Sequence, residues 1–327
     1  MNNIRPNLLQ KGDEIRIVAP STGIKIIGAD CRAIAKERFE AMGLKVSFGK
    51  NTTDDNFDEF RTSSYEKRAE DIMDAFKDKN VKAIFTIIGG FNSNQVLPFL
   101  DYGVIKANPK IVCGFSDITA LLNGIRAKTG LITFYGPHYS TIGMKKGNEY
   151  TLDNMQKMLF GGKDDFAPSA EWSDDLWFID QEKRNFIKNE GWWILQNGNA
   201  RGVLEGGNLS TLVLLGGTDF AVKFEQPTIL AVENCFISGA DKVEFLRQLQ
   251  ALAQRADFAN VKALLIGRFQ KDSQVSKADL EYIVHSIPQL KGLPIIANMD
   301  FGHTTPISTL PLGGNCAIEN GKISLEC

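Results

Sequence analysis

Cysteine is scarce in this chain, which has only five cysteines among 327 residues. An odd number of widely separated cysteines, without a C-x-x-C pair, disfavours both a disulfide framework and a structural zinc site. Reduced cysteines of this kind are typical of a cytosolic protein. The five are Cys31, Cys113, Cys235, Cys316 and Cys327.

The sequence also lacks an excess of either charge and any long apolar run. Its 37 Lys and Arg residues and 39 Asp and Glu residues give a formal net charge of -2. The basic residues are spread along the chain, whereas a nucleic acid or an anionic membrane needs a basic face, so neither is an expected partner. No run approaches the ~20 apolar residues that span a bilayer, and no apolar signal segment opens the chain. We therefore expect a cytoplasmic protein.

What remains is an ordinary globular composition, with 43% apolar and 23% charged residues. At this length the chain is expected to form about two domains. Strand and helix patterns alternate in the first half, which implies βαβ units and a mostly parallel sheet with ligands at the carboxyl ends of its strands. The predicted strands are residues 15–19, 44–48, 81–88, 111–113 and 131–135, and the predicted helices include residues 63–76 and 117–128.

The composition changes near residue 165. We predict an N-terminal domain over residues 1–165, a linking segment over 166–195 and a C-terminal domain over 196–327. The linking segment holds all four tryptophans, which either pack the domain interface or face a substrate. In the second half, residues 206–208 (GGN) are interpreted as a turn, and an apolar strand over 228–232 ends at Glu233.

The sharpest local feature is the sequence CGFSD at residues 113–117, where an apolar strand ends and a helix begins at once. This layout is typical of a nucleophile elbow, which lifts Ser116 out of the sheet at the N-terminus of a helix. Free backbone N–H groups there can hold an oxyanion. The motif is incomplete because Ile118 replaces the second glycine of G-x-S-x-G, so the alternative is that Ser116 only caps the helix.

A serine nucleophile needs a base, and histidine is the usual one. His303 lies in a polar, glycine-containing loop after a strand, where catalytic residues tend to sit, and His138 at a strand end is the second candidate. Glu233 is favoured as the carboxylate that orients the base, because an otherwise apolar strand carries it at its end. The third histidine is His285, and the competing carboxylates are Asp117 and Asp300.

Two glycines, Gly89 and Gly90, follow the predicted 81–88 strand and precede a helix. Glycines at such a point let the backbone approach a ligand and direct N–H groups at an anion. The loop is therefore either the second half of an oxyanion hole or a phosphate cradle, although it matches neither G-x-G-x-x-G nor the Walker pattern.

Taken in order, these motifs resemble the LD-carboxypeptidase family of serine peptidases over nearly the whole chain. The loop at residues 87–94 (IIGGFNSN) is similar to that of the microcin C self-immunity branch. Asn234 departs from the many relatives that carry a second acid there. The motifs are residues 89–90 (GG), 108–110 (NPK), 114–117 (GFSD), 133–137 (TFYGP), 206–209 (GGNL), Glu233, 302–303 (GH), Pro306 and 310–313 (LPLG).

The resemblance implies an α/β fold with an N-terminal Rossmann-like parallel-sheet domain, a C-terminal α/β domain with a barrel-like sheet, and an active site between them. It implies a triad of Ser116, Glu233 and His303, and an oxyanion hole of the Gly89 and Asp117 amides. It also implies a homodimer and no metal or other cofactor. The residues predicted to bind substrate are Gly90, Asn92, Asn208, Trp177 and Trp192.

The expected reaction is hydrolysis of an amide next to a free carboxylate. The immunity branch implies a peptidyl or aminoacyl nucleotide as the substrate, with aromatic residues stacked on the adenine. Two alternatives stay open among hydrolases, an LD-carboxypeptidase acting on cell-wall tetrapeptides and an esterase. A non-catalytic protein that closes on a small ligand is the alternative of another class.

Overall fold

A computed structural model of the chain describes residues 3–53, 58–235 and 241–327. No helix within these residues is both long and apolar enough to cross a bilayer. The strands in these residues are β1 (Glu14–Val18), β2 (Lys45–Phe48), β3 (Val81–Thr86), β4 (Ile111–Gly114), β5 (Thr133–Tyr135), β6 (Lys163–Phe166), β7 (Glu171–Trp172), β8 (Ile187–Lys188), β9 (Trp193–Gln196), β10 (Ala200–Asn208), β11 (Thr228–Glu233), β12 (Val261–Gly267), β13 (Ile295–Met299), β14 (Leu310–Leu312), β15 (Asn315–Glu319) and β16 (Lys322–Glu326). The α-helices there are α1 (Ala29–Ala41), α2 (Tyr65–Lys77), α3 (Tyr102–Ala107), α4 (Thr119–Thr129), α5 (Tyr139–Ile142), α6 (Glu149–Gln156), α7 (Leu209–Leu214), α8 (Asp241–Ala253) and α9 (Lys277–Ser286).

The first sheet has six strands in the order β14-β5-β4-β3-β1-β2. Strands β1 to β5 are parallel, and β14 pairs antiparallel with β5 at the edge. A helix lies in each connection between successive parallel strands, because a parallel pair cannot be joined by a tight turn. All of β4 is buried, which accounts for its continuous apolar run. The parallel sheet predicted for the first half is confirmed.

The second sheet has eight strands in the order β6-β16-β15-β10-β11-β12-β13-β9. Its central strands β10 to β13 are parallel, with α7, α8 and α9 in their connections. The outer strands β15, β16 and β6 pair antiparallel on one side, and β9 does so on the other. The predicted α/β fold with two sheets is confirmed.

The two sheets exchange strands, so the chain passes between them more than once. Strand β14, near the C-terminal end, joins the first sheet, and β6, from the first half, joins the second. Strand β9, which lies in the predicted linking segment, pairs with β13. One continuous cluster of buried apolar side chains includes Ile84 of β3 and Ile229 of β11. The junction between the sheets is therefore packed, and the predicted domain boundaries stay a prediction.

One local prediction is wrong, because residues 206–208 lie inside β10 and not in a turn. Gly206 has a φ of 145°, and a Cβ added to it would lie 1.7 Å from the carbonyl oxygen of Ala231. Glycine is therefore required for the close approach of β10 to β11, not for a reversal of the chain. A glycine pair gives the same local signal in both situations.

Candidate active site

Ser116 lies where β4 meets α4. The strand ends at Gly114, and a short 3₁₀ helix, Ser116–Ile118, leads directly into α4. The φ of Ser116 is 61°, a conformation that costs on the order of 1 kcal/mol or more for a residue with a side chain. The N-cap of the short helix is Phe115, so the Ser116 hydroxyl is not used as a cap. This strand–turn–helix geometry is that of a nucleophile elbow.

Three side chains from distant parts of the sequence meet at this turn. The His303 Nε2 is 2.9 Å from the Ser116 Oγ, and the His303 Nδ1 is 2.7 Å from the Glu233 Oε2. Glu233 ends β11, and His303 lies in the loop after β13. The glutamate side chain is fully buried, whereas 19% of the histidine side chain is exposed. Such an arrangement allows a proton to pass from the hydroxyl to the imidazole while the carboxylate orients the ring.

The Glu233 carboxylate accepts hydrogen bonds from three residues. Besides His303 on Oε2, the Tyr135 hydroxyl donates to Oε1 at 2.6 Å and the Asn208 amide donates to the same oxygen at 3.0 Å. Burial by itself would raise the pKa of Glu233, but the charge of His303 and these hydrogen bonds outweigh it and hold the pKa below its ordinary value. The carboxylate is therefore ionised at neutral pH.

The other two histidines have different surroundings. The buried ring of His138 stacks on Phe115 at 4.2 Å, and its Nδ1 is 2.8 Å from the Thr86 hydroxyl. Burial, assisted by the charge of His303, lowers the pKa of His138 to about 3. His285 is exposed on α9 and bonds to a backbone carbonyl of its own helix. His303 is thus the histidine that contacts the Ser116 hydroxyl.

The two competing carboxylates are engaged elsewhere. Asp300 is fully buried and accepts from the Arg268 guanidinium at 2.8 Å and from the Trp192 indole N–H at 3.0 Å. The Asp117 carboxylate accepts from the backbone N–H of Ser93 at 2.9 Å. Glu233 is therefore the acid that the fold brings to the His303 ring.

The glycine loop after β3 packs directly against Ser116. A Cβ added to Gly89 would lie 3.2 Å from the Ser116 Oγ, and Gly90 continues the loop with a φ of 156°. Ser93 ties the loop to the elbow, because its hydroxyl donates to the Asp117 carbonyl oxygen at 2.6 Å. The backbones of Gly89 and Asp117 therefore lie on the two segments that border the Ser116 hydroxyl.

The two asparagines predicted to bind substrate have their side chains engaged within the protein. The Asn92 Oδ1 accepts from the buried Arg68 at 3.2 Å, and its amide donates to the Thr62 hydroxyl at 3.2 Å. The Asn208 Oδ1 caps α7, and its amide donates to Glu233. Asn92 thus supports the glycine loop, Asn208 supports the carboxylate, and a role for either in binding stays a prediction.

The two tryptophans predicted to bind substrate are both half-buried. Trp192 packs on Phe166 with ring centroids 4.8 Å apart and donates its indole N–H to Asp300. Trp177 packs against the main apolar cluster and contacts Phe178 edge to face. Trp192 therefore has a packing role in the fold, and contact of either ring with substrate stays a prediction.

Sequence reasoning missed one residue of this site, Tyr135. Its hydroxyl accepts from the Ser116 backbone N–H at 3.3 Å and donates to Glu233. Tyr135 belongs to the TFYGP motif, to which the sequence alone assigns no role. The available signal was a tyrosine at the carboxyl end of a buried strand, since a buried tyrosine hydroxyl usually has a partner.

Comparisons with known proteins place these features in a family. Models of the LD-carboxypeptidase N-terminal domain and C-terminal domain match residues 15–136 and 201–318. The chain is 49% identical over 313 residues to the putative carboxypeptidase YocD of Bacillus subtilis, covering 95% of this chain and 94% of that protein. It is 32% identical over 335 residues to the microcin C7 self-immunity protein MccF of Escherichia coli, covering 94% and 93%. It is also 26% identical over 328 residues to a probable murein peptide carboxypeptidase of B. subtilis, covering 98% and 93%.

Solved structures are similar over the same extent. An MccF-like protein from Bacillus anthracis has a TM-score of 0.95 at 43% identity, covering 99% of each chain. MccF in complex with aspartyl sulfamoyl adenosine has a TM-score of 0.86 at 30% identity, covering 98% of each chain. The likeness includes both sheets. The chain therefore belongs to the LD-carboxypeptidase family of serine peptidases and lies near the MccF branch of that family.

Proposed function

We propose that the chain is a serine carboxypeptidase-type hydrolase in which Ser116 is the nucleophile, His303 the base and Glu233 the residue that orients the base. The observation that carries the proposal is the pair of hydrogen bonds from Ser116 Oγ to His303 Nε2 at 2.9 Å and from His303 Nδ1 to Glu233 at 2.7 Å. The first distance allows proton transfer from the hydroxyl to the imidazole, and the second allows the carboxylate to orient the ring. The strained backbone of Ser116 supports the proposal, because such conformations cluster at active sites.

In the acylation step, the Ser116 Oγ attacks the carbonyl carbon of the scissile amide while His303 takes the hydroxyl proton. The imidazolium then gives this proton to the amide nitrogen, the C–N bond breaks, and the amine leaves. The acyl group stays on Ser116 as an ester. A water molecule then attacks the ester carbonyl while giving a proton to His303, and the imidazolium returns this proton to the Ser116 Oγ as the ester C–O bond breaks and the acid leaves.

The oxyanion of each tetrahedral intermediate is held, in this proposal, by the backbone N–H groups of Gly89 and Asp117. A donor in such a position typically contributes ~3–4 kcal/mol to the stability of the transition state. The Ser93 bonds to Asp117 support the assignment, because they fix the glycine loop relative to the elbow. The two donors would then be held in place before the substrate arrives.

We propose that the bond cut is an amide next to a free carboxylate, in an acidic aminoacyl or peptidyl nucleotide. The support is the likeness to MccF, whose structure contains aspartyl sulfamoyl adenosine. Ser173 pairs with Thr305, which is two residues from His303 in the sequence. Trp177 follows Ser173 in the same segment, which therefore leads away from the site. Its half-buried ring gives the aromatic surface on which a base could stack.

The second candidate function is cleavage of the L,D bond of murein tetrapeptides. It is favoured by the 26% sequence identity, over 98% of this chain, to a probable murein peptide carboxypeptidase. The chemistry at Ser116 is the same in both functions, so the two differ only in what surrounds the scissile amide. The homodimer implied by the resemblance stays a prediction, which light scattering of the purified chain checks.

Parallel assays with aspartyl sulfamoyl adenosine, an L,D-tetrapeptide and a simple ester test the proposal. We expect the nucleotide analogue to be cleaved with the highest kcat/KM, and Ser116→Ala to lose turnover by about 10⁴-fold or more. Ser286→Ala on α9 serves as the control and should keep native turnover. Native turnover in Ser116→Ala would overturn the mechanism. Preference for the tetrapeptide would select the second function, and binding without any turnover would identify a binding protein.

A further inference from the structure

Tyr135 ends β5 with a fully buried side chain that lies between the nucleophile and the acid. Its hydroxyl accepts the backbone N–H of Ser116 at 3.3 Å and donates to the Glu233 Oε1 at 2.6 Å. Ser116 lies in the turn that follows β4 of the first sheet, and Glu233 ends β11 of the second. A single hydroxyl therefore bridges the two sheets at the site itself.

The direction of the two bonds follows from their chemistry. A backbone amide can only donate and an ionised carboxylate can only accept, so the hydroxyl hydrogen of Tyr135 points to Glu233. Burial, reinforced by the charge of Glu233, raises the pKa of Tyr135 far above its ordinary value. The phenol therefore keeps its proton and acts as a permanent donor.

The hydrogen bond from the Ser116 amide to Tyr135 stabilises the strained turn. An amide buried there without an acceptor would destabilise the turn further, because an unpaired buried N–H loses its hydrogen bond to water. Because Tyr135 accepts this N–H, the Ser116 amide is turned toward β5. The proposed oxyanion hole accordingly uses the amides of Gly89 and Asp117 and not that of Ser116.

We propose that Tyr135 is a positioning residue that locks the Ser116 turn to the Glu233 carboxylate, so that nucleophile and acid keep a fixed separation across the two sheets. The inference rests on the proposed function, because it concerns the same three side chains. It also gives the TFYGP motif a physical role, since this segment carries the tyrosine to the end of β5 beside the elbow.

Loss of the hydroxyl should change the pH dependence as well as the rate. Without Tyr135 as a donor, the pKa of Glu233 rises, so the ionised carboxylate that orients His303 is lost at a higher pH. In the described part of the chain, the titratable groups that act on this carboxylate are His303, Tyr135 and Cys235. Burial raises the pKa of the Cys235 thiol to about 12, so it stays protonated throughout. The acidic limb of the pH profile of kcat should therefore move to higher pH.

The test compares Tyr135→Phe with Tyr139→Phe. The second variant also removes a buried tyrosine hydroxyl, but one that donates to the Arg32 carbonyl oxygen at 2.6 Å. We expect kcat of Tyr135→Phe to fall roughly 10- to 100-fold, the range for losing a hydrogen bond to a charged group. KM should change little and the acidic limb should move up, whereas Tyr139→Phe should keep the native rate and pH profile.

If Tyr135→Phe and Tyr139→Phe have the same rate and pH profile while Ser116→Ala is inactive, the role of Tyr135 is overturned. The proposed function is not affected by that result. Turnover by Ser116→Ala would overturn the proposed function instead. If Tyr135→Phe does not fold, 3-fluorotyrosine at position 135 takes its place. Its more acidic phenol is a stronger donor, so the acidic limb should move to lower pH, and an unmoved limb would contradict the inference.

Discussion

Two buried carboxylates stand at the carboxyl ends of strands in the second sheet, Glu233 on β11 and Asp300 directly after β13. Glu233 meets the imidazole of His303, a group that can gain and lose a proton, and 19% of that side chain is exposed. Asp300 meets the guanidinium of Arg268, which is always charged, and only 1% of that side chain is exposed. One carboxylate therefore has a titratable partner and the other a permanent counter-ion.

The Asp300 carboxylate is also engaged by donors other than Arg268. It accepts from Ser169 and Trp192 in addition to Arg268. The comparison teaches that burial at a strand end does not by itself mark an acid as catalytic. The partner of each acid distinguishes them, because acid–base catalysis needs a group that can release a proton and reach a reacting atom.

The largest effect is expected for Glu233→Gln. The amide cannot stabilise an imidazolium and favours the wrong tautomer of His303, so kcat should fall by about 10⁴-fold. Steady-state kinetics with the best substrate measure the loss, and urea unfolding checks that the fold is kept. A kcat within tenfold of the native value would remove Glu233 from the mechanism.

Asp300→Asn should act mainly on stability. It leaves the buried Arg268 without its counter-ion, which typically costs about 3–5 kcal/mol of unfolding free energy. Asp153→Asn is the control, because it breaks an exposed pair with Lys157 that is worth at most about 1 kcal/mol. The distinction between a structural Asp300 and a catalytic Glu233 would be wrong if Asp300→Asn kept full stability and lost as much kcat as Glu233→Gln.

Low pH should destabilise the fold by protonating the Glu233 carboxylate. The folded-state pKa of Glu233 lies below its ordinary value of 4.5, so its contribution to stability is present above that pH and is lost as the pH falls through the lowered pKa. Urea unfolding at a series of pH values should show a shallower acid loss in Glu233→Gln than in the native chain. Equal slopes below pH 4.5 would contradict the assigned direction of the shift.

The smallest effect is expected for Trp192→Phe, which keeps an aromatic ring and removes the indole N–H. Losing this hydrogen bond to Asp300 should cost about 1.5 kcal/mol of unfolding free energy. KM should stay at the native value if the ring only packs the fold. A raised KM without a loss of stability would instead assign Trp192 to substrate binding.

Much of the fold and of the candidate site follows from local patterns. The strand that ends before Ser116, the helix that follows it and the acid that ends an apolar strand lie within two residues of their predicted bounds. These features depend on neighbours in the sequence, so periodicity and turn chemistry reveal them.

The rest depends on contacts between distant residues. In the sequence Asp300 competes with Glu233, and only its pairing with Arg268, 32 residues away, distinguishes the two acids. Tyr135 and Glu233 are 98 residues apart, and no local pattern assigns that bond. The glycine pair in β10 was predicted as a turn because the close approach of β11 is invisible in the sequence.

The most direct test of the central claim is the rate at which a fluorophosphonate labels the protein, with the site identified by peptide mapping. The account predicts that the label is found on Ser116, that His303→Ala and Glu233→Gln are labelled much more slowly, and that folded Asp300→Asn is labelled at the native rate. A label on another residue, or native labelling of His303→Ala, would contradict it.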